Sequence, residues 1–204
     1  MALVFVRHGE SEANLLHEFS NRGFKHGLTD NGRQQAEALA RTLQGRPVIR
    51  LYSSPLMRAV QTAEILGGVL GLPHIVTDAL REYDCGILEG RADEAAWAIY
   101  RDVLSDWLLH RRWDRRIEQG ESFHDIQARF VLFIERLVQA HRQTPGDSVL
   151  VGHGGTYRCM LPLVLANITF EFAIAHGIGN TVPIVAEIRP EGLVCVAWGD
   201  MMLA

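Results

Sequence analysis

Four short apolar runs recur along this chain, and a longer stretch with a helical period separates each from the next. They are ALVFV (2–6), VIRLYS (48–53), HIVTDAL (74–80) and SVLVG (148–152). Strands that alternate with helices pair in parallel, because the helix carries the chain back to the starting edge. The alternation therefore predicts an α/β fold, a three-layer sandwich with a mainly parallel central sheet flanked by helices. Two further runs, IVAEIR (184–189) and LVCVAW (193–198), flank Pro190-Glu191-Gly192 and predict a C-terminal hairpin.

The helices carry their own signals. Residues 28–45 place Ala36, Leu39, Ala40 and Leu43 on one face, with Thr29 or Asp30 as cap and Gly45 as terminator. Residues 54–71 offer Ser54 as cap and Pro55 at the first helical position. Residues 121–143 keep a helical apolar period, and Ser122 with Asp125 reads as a capping box. Gly154-Gly155 opens another helix. Residues 93–116 read as an amphipathic helix with an arginine-rich end. No linker or repeat interrupts the pattern, so residues 1–204 read as one domain. Residues 91–120 read as a cap-like insertion, a small helical excursion over the end of the sheet.

Composition narrows the partners. A chain of 204 residues that is 48% hydrophobic buries a real core. A net charge of -4 excludes a general nucleic-acid or membrane-surface binder, so any anion site is a local cluster. Cys85, Cys159 and Cys195 are an odd number without metal-ligand spacing and read as free thiols in a reducing, cytoplasmic setting. Arg7 cuts the first apolar run too short for a signal peptide, and Pro162, Asn167 and Glu171 break the most apolar late stretch.

Ligands of open α/β sheets bind beyond the carboxyl ends of the strands. Arg7, His8 and Gly9 follow the first run, and Arg58 follows the second. Glu82 follows the third, and His153 and Gly154 follow the fourth. Singly, each has a bland structural reading. Together, four chain-distant segments send two imidazoles, two guanidiniums and a carboxyl to one edge. Arginine forks fit phosphate oxygens, helix amino termini add donors, and Asn14 adds a neutral one. The set describes a site for a doubly charged tetrahedral anion, with a neutral histidine as nucleophile.

The ordered motifs RHGESEAN, LTDNGRQQA, SSPLMRAVQTA, LREYDCGILEG, GESF and VGHGGTYR resemble the histidine phosphatase superfamily, which includes phosphoglycerate mutases and many small-molecule phosphatases. The resemblance implies that His8 is the nucleophile and becomes phosphorylated. It implies that Arg7, Arg58 and His153 clamp the phosphoryl oxygens and that Asn14 assists. Glu82 matches the proton donor to the leaving alcohol, which tilts the expected pH optimum toward acid. The resemblance implies no metal and no cofactor.

The chain departs from the family where SNRGFKHGLT stands. Arg22 and Gly23 lie near a substrate-contact position of the mutases and are candidate binding residues. His17 and His26 read as surface loop histidines rather than metal ligands. The run HRRWDRR (110–116) reads first as a solvated helix end. Its sharper reading is a lid bringing Arg111 or Arg112 over an acidic substrate, with Trp97, Trp107 and Trp113 lining it.

The short segment between LEG and GES leaves little chain for a closing cap. A phosphatase acting on a small phosphorylated molecule is therefore the expectation. A phosphoglycerate mutase and a non-catalytic phosphate-binding domain are the alternatives. The leaving group and the oligomeric state are not legible at this level.

Overall fold

The structure, a computed structural model, describes residues 1–141 and 145–203. Its strands are β1 (Ala2–Arg7), β2 (Val48–Ser53), β3 (His74–Val76), β4 (Asp147–Gly152), β5 (Pro183–Arg189), β6 (Gly192–Trp198) and β7 (Met201–Met202). They form one sheet in the order β3-β2-β4-β1-β5-β6-β7. The pairs among β3, β2, β4 and β1 are parallel, and the pairs from β1 out to β7 are antiparallel. The expected hairpin is β5–β6, and β7 extends it.

The helices are α1 (Glu12–Leu16), α2 (Asp30–Leu43), α3 (Met57–Leu70), α4 (Glu94–Leu108), α5 (Phe123–His141), α6 (Gly154–Val164) and α7 (Phe170–Ala175). Successive residues of a strand point to opposite faces. Val4 and Val6 of β1, with Val149 and Val151 of β4, face Leu39, Leu43, Ala59 and Leu66 of α2 and α3. Leu3, Phe5 and Leu150 face the other way, toward Ile126, Phe130, Tyr157 and Met160 of α5 and α6. Both faces are covered, so the layers are three. A one-residue slip of β1 would exchange its two faces between unlike cores, which pins its register.

Local signals fall largely where the residue pattern puts them. The Thr29 hydroxyl caps α2 by accepting from the Gly32 N–H at 3.0 Å. The capping box of α5 is present, with the Ser122 N–H donating to Asp125 at 2.9 Å and the Asp125 N–H donating to the Ser122 hydroxyl at 3.3 Å. Arg142 and Gln143, the expected end of that helix, lie outside the described residues. Among the described residues no helix is long and apolar enough to cross a membrane.

Three expectations need correction. The run 74–80 is strand only through Val76. There the Thr77 hydroxyl accepts from the Ala79 N–H and turns the chain into a 3₁₀ turn at Asp78–Leu80. Ser54 and Pro55 do not start α3, which begins at Met57 after Leu56. Ser54 is committed elsewhere: its hydroxyl accepts from the Leu56 N–H at 3.2 Å and contacts His153 at 2.7 Å. Helix α4 stops at Leu108 rather than running to 116. Beyond it the chain folds back, and the Trp107 indole donates to the Arg115 carbonyl at 2.7 Å.

Candidate active site

The site begins with strand register. β1 and β4 are adjacent and parallel, with Arg7 opposite Gly152. The next residue on each strand is a histidine, so the two imidazoles leave the sheet edge side by side. Their ring centroids are 5.0 Å apart, and both rings are buried, at 3% and 0% exposed. Neighbouring strands are spaced about 4.8 Å apart, so the sheet itself sets this separation.

Hydrogen bonding fixes the His8 tautomer. Its Nδ1 lies 2.6 Å from the Gly9 carbonyl, which only accepts. Its Nε2 receives the Arg58 Nε–H at 3.0 Å, and a guanidinium only donates. His8 is therefore neutral, with its proton on Nδ1 and a lone pair on Nε2. At His153, Nε2 pairs with the Ser54 hydroxyl at 2.7 Å, which also accepts from the Leu56 N–H; with the hydroxyl proton directed at Nε2, the ring proton sits on Nδ1. That Nδ1 has no partner among the described residues.

Two guanidiniums frame the pair. Arg58, in the first turn of α3, also donates to the Ser20 carbonyl at 2.7 Å. Burial, offset by Glu82 and reinforced by Arg7, pulls its pKa down to about 10, so it stays charged at neutral pH. Arg7 donates to the Ile178 carbonyl at 3.0 Å and lies against the amino terminus of α6. Burial, then Arg58 and Arg7, holds His8 well below the ordinary histidine value. Burial, then Arg58, His8 and Arg7, does the same to His153.

These shifts make the fold acid-sensitive. Unfolded histidines titrate near about 6.5, whereas the folded pair stays neutral below that. Between the two values the unfolded chain binds more protons, so stability present above 6.5 is lost as pH falls. Each histidine contributes up to about 1.4 kcal/mol per pH unit in that window. In phosphate-free buffer the thermal midpoint should drop between pH 7 and pH 5, and His153→Gln should flatten the slope. Carboxylates such as Asp106, held low by Arg115, act only at more acid pH. An equal slope in the variant would contradict this account.

A cavity of about 210 Å³ opens beside the pair, lined by Arg7, His8, Asn14, Arg58, Glu82 and Arg158 among others. A larger groove of about 460 Å³ between α5 and α6 has Glu135 as its one ionisable side chain, so the smaller cavity is where the chemistry lies. The Asn14 carbonyl oxygen accepts from the Ser11 N–H at 3.1 Å, which leaves its amide N–H groups for the cavity. Glu82 is tethered to the start of α6. Its Oε1 accepts from the Thr156 N–H, the Thr156 hydroxyl and the Tyr83 N–H, and its Oε2 accepts from the Gly155 N–H at 2.9 Å. Oε2 thus keeps a lone pair. Gly155 makes this seat possible, because a Cβ there would sit 2.7 Å from the Tyr83 ring and 2.8 Å from Oε2.

The family profile of the histidine phosphatase superfamily (branch 1) matches residues 3–201. The chain belongs to that superfamily. It is 32% identical over 162 residues to the "Putative phosphoserine phosphatase 2" of Hydrogenobacter thermophilus, covering 79% of this chain and 77% of the relative. It is 30% identical to a 2,3-bisphosphoglycerate-dependent phosphoglycerate mutase of Brucella melitensis, covering 94% of each. Among solved structures, a mycobacterial glucosyl-3-phosphoglycerate phosphatase in complex with VO3 is similar at a TM-score of 0.79 and 27% identity. That match covers 97% of this chain and 98% of the other.

Within this histidine phosphatase domain, the cavity brings together Arg7, His8, Asn14, Arg58, Glu82 and Gly154, with His153 directly behind. Arg22 and Gly23 do not reach it. The Arg22 guanidinium is taken by Asp84 at 2.9 Å and by the Gln119 carbonyl at 3.0 Å. Gly23 has a positive φ of 64° and nothing near its Cβ direction. His26 is not a surface histidine: it is 6% exposed, wedged against Glu18 at 3.1 Å and Glu12 at 3.6 Å. In the arginine run, Arg112 and Arg115 pair with Asp106, Arg116 pairs with Asp125, and Arg111 lies over the Phe170 ring at 5.7 Å.

The cavity walls include Trp97, read from sequence as a lid residue, and Phe19, Tyr100 and Arg158, which were given no role. Phe19, Trp97 and Tyr100 form an aromatic wall, with Phe19 and Trp97 centroids 4.3 Å apart. Tyr100 lies three residues beyond Trp97, one helical turn, which is the signal that links them.

Proposed function

We propose that the protein is a phosphomonoesterase that works through a phosphohistidine on His8. The observation that carries this reading is the His8 Nε2 lone pair, oriented by the Gly9 carbonyl and met by the buried Arg58 guanidinium, with Arg7 lining the same cavity. Arg7, Arg58, the Asn14 amide and the start of α6 bind the phosphoryl oxygens, and the His153 Nδ1–H adds a donor. The Arg58 Nε–H leaves Nε2 for a phosphoryl oxygen, which frees the lone pair. Nε2 then bonds to phosphorus as the P–O bond to the alcohol breaks, and Glu82, entering this step protonated on Oε2, gives that proton to the departing alcohol and is left a carboxylate. In the second half, water attacks phosphorus, gives its proton to Glu82 and displaces Nε2. Positive charge already in place meets the developing charge, so turnover is expected to persist in chelator.

Relatives named for phosphatase and mutase activity both sit close to this chain. The basic run of the 91–120 segment favours hydrolysis, because Arg112, Arg115 and Arg116 pair with Asp102, Asp106 and Asp125, Arg111 lies on Phe170, and none of the four lines the cavity. We read the chain as one domain with residues 91–120 as its cap-like insertion. The substrate is a small phosphorylated molecule, and three buried free thiols fit a reducing, cytoplasmic setting.

Rapid mixing with a ³²P-labelled phosphate ester, quenched in base, tests the intermediate. The expected result is a base-stable, acid-labile label on the peptide containing His8. A pure phosphate binder leaves no label. Interconversion of phosphoglycerate isomers primed by bisphosphoglycerate, outpacing phosphate release, would favour the mutase.

A further inference from the structure

Arg158 stands in the cavity without a role in the chemistry above. It lies four residues beyond Gly154 and three beyond Gly155 on α6, so it shares the helix face that meets the site. Long helical side chains lean back toward the amino terminus, which carries its guanidinium over the turn where Arg7 and Glu82 sit. It lines the same cavity as His8. Its Nε is buried without a hydrogen-bond partner, and no described carboxylate pairs with it. Most other arginines near the site are spoken for: Arg22 by Asp84, Arg81 by Asp78 and Glu121, Arg129 by Glu121. Burial lowers the Arg7 pKa, Glu82 offsets part of that, and Arg158 adds to the lowering.

A third guanidinium in a site whose phosphate is already held by two is unfavourable on its own, since like charges repel. A second anion on the ligand would offset it, and the planar fork matches a carboxylate. The size of the space points the same way, because about 210 Å³ admits a phosphate and a compact leaving group. We propose that Arg158 reads a carboxylate on the leaving group, so that the preferred substrates are small phosphorylated carboxylic acids. Resting on the phosphatase reading, this assigns Arg158 as a specificity residue. Phe19, Trp97 and Tyr100 supply an apolar wall of the same cavity, which disfavours bulky polar leaving groups.

The test uses 3-phosphoglycerate and glycerol 3-phosphate, which differ only by a carboxylate in place of a hydroxymethyl, with p-nitrophenyl phosphate as a general probe. The ratio of kcat/KM for the acid over the alcohol should be about 10 or more in the unaltered protein. It should fall toward 1 in Arg158→Gln, mostly through KM, and lie between in Arg158→Lys, which keeps the charge and loses the fork. A ratio at or below 1 in the unaltered protein overturns the proposal without needing a variant. So does a ratio that Arg158→Gln leaves unchanged, which would make Arg158 part of the phosphate clamp or the packing. Absence of p-nitrophenyl phosphate turnover and of labelled His8 would instead overturn the phosphatase reading beneath it.

Discussion

The His8→Ala protein is expected to hydrolyse p-nitrophenyl phosphate slower by about 10⁴-fold or more, as losses of covalent nucleophiles generally are. No neighbour can substitute. His153 is 5.0 Å away between ring centroids, but its Nε2 lone pair is taken by the Ser54 hydroxyl. The Ser54 hydroxyl is itself held between His153 and the Leu56 N–H. Arg58, released from Nε2, would still bind phosphate, so inorganic phosphate should still protect the variant against heat. That pairing of lost turnover with retained binding separates a nucleophile from a clamp. Turnover within about 100-fold of the unaltered protein would remove His8 from the role.

The second large effect belongs to Arg58→Ala, with kcat/KM expected to fall by about 10³-fold, the scale seen when a guanidinium stabilising phosphoryl transfer is removed. The side chain is 6% exposed and spans His8 and the Ser20 carbonyl at once, so its loss unties the 17–27 loop from the nucleophile. The pH profile should move as well. Arg58 is the second cause, after burial, of the low His8 pKa. Without it that pKa rises, and the acid limb of kcat/KM should shift to higher pH. Steady-state kinetics from pH 4 to 8 read both effects. A loss below 10-fold with an unmoved acid limb would mean that Arg58 serves packing alone.

Much of the fold and part of the site were legible in the residues. The four parallel strands, the closing hairpin and the Ser122–Asp125 box depend on local periodicity and capping, which a chain displays openly. The convergence of Arg7, His8, Arg58 and His153 followed from one rule about strand ends. What stayed hidden depends on partners distant in sequence. Glu82 was read as the proton donor, but the seat of its carboxyl on α6 rests on contacts 73 and 74 residues away. Arg22 was read toward the substrate, and Asp84 and Gln119, 62 and 97 residues on, take it instead. Ser54 was read as a cap, and His153, 99 residues away, claims its hydroxyl. Arg158 sat inside a quoted motif, but its orphaned Nε was visible only once the cavity existed.

His8 and His153 hang from neighbouring parallel strands, whereas the walls that meet the leaving group come from the 17–27 loop, α4 and α6. The reacting centre therefore inherits its dimensions from sheet geometry, and the selectivity surface is bolted on from outside it. Exchange of Trp97, Tyr100 or Arg158 should retune which alcohol departs without respacing the imidazoles. In engineering terms this scaffold separates its motor from its gearbox.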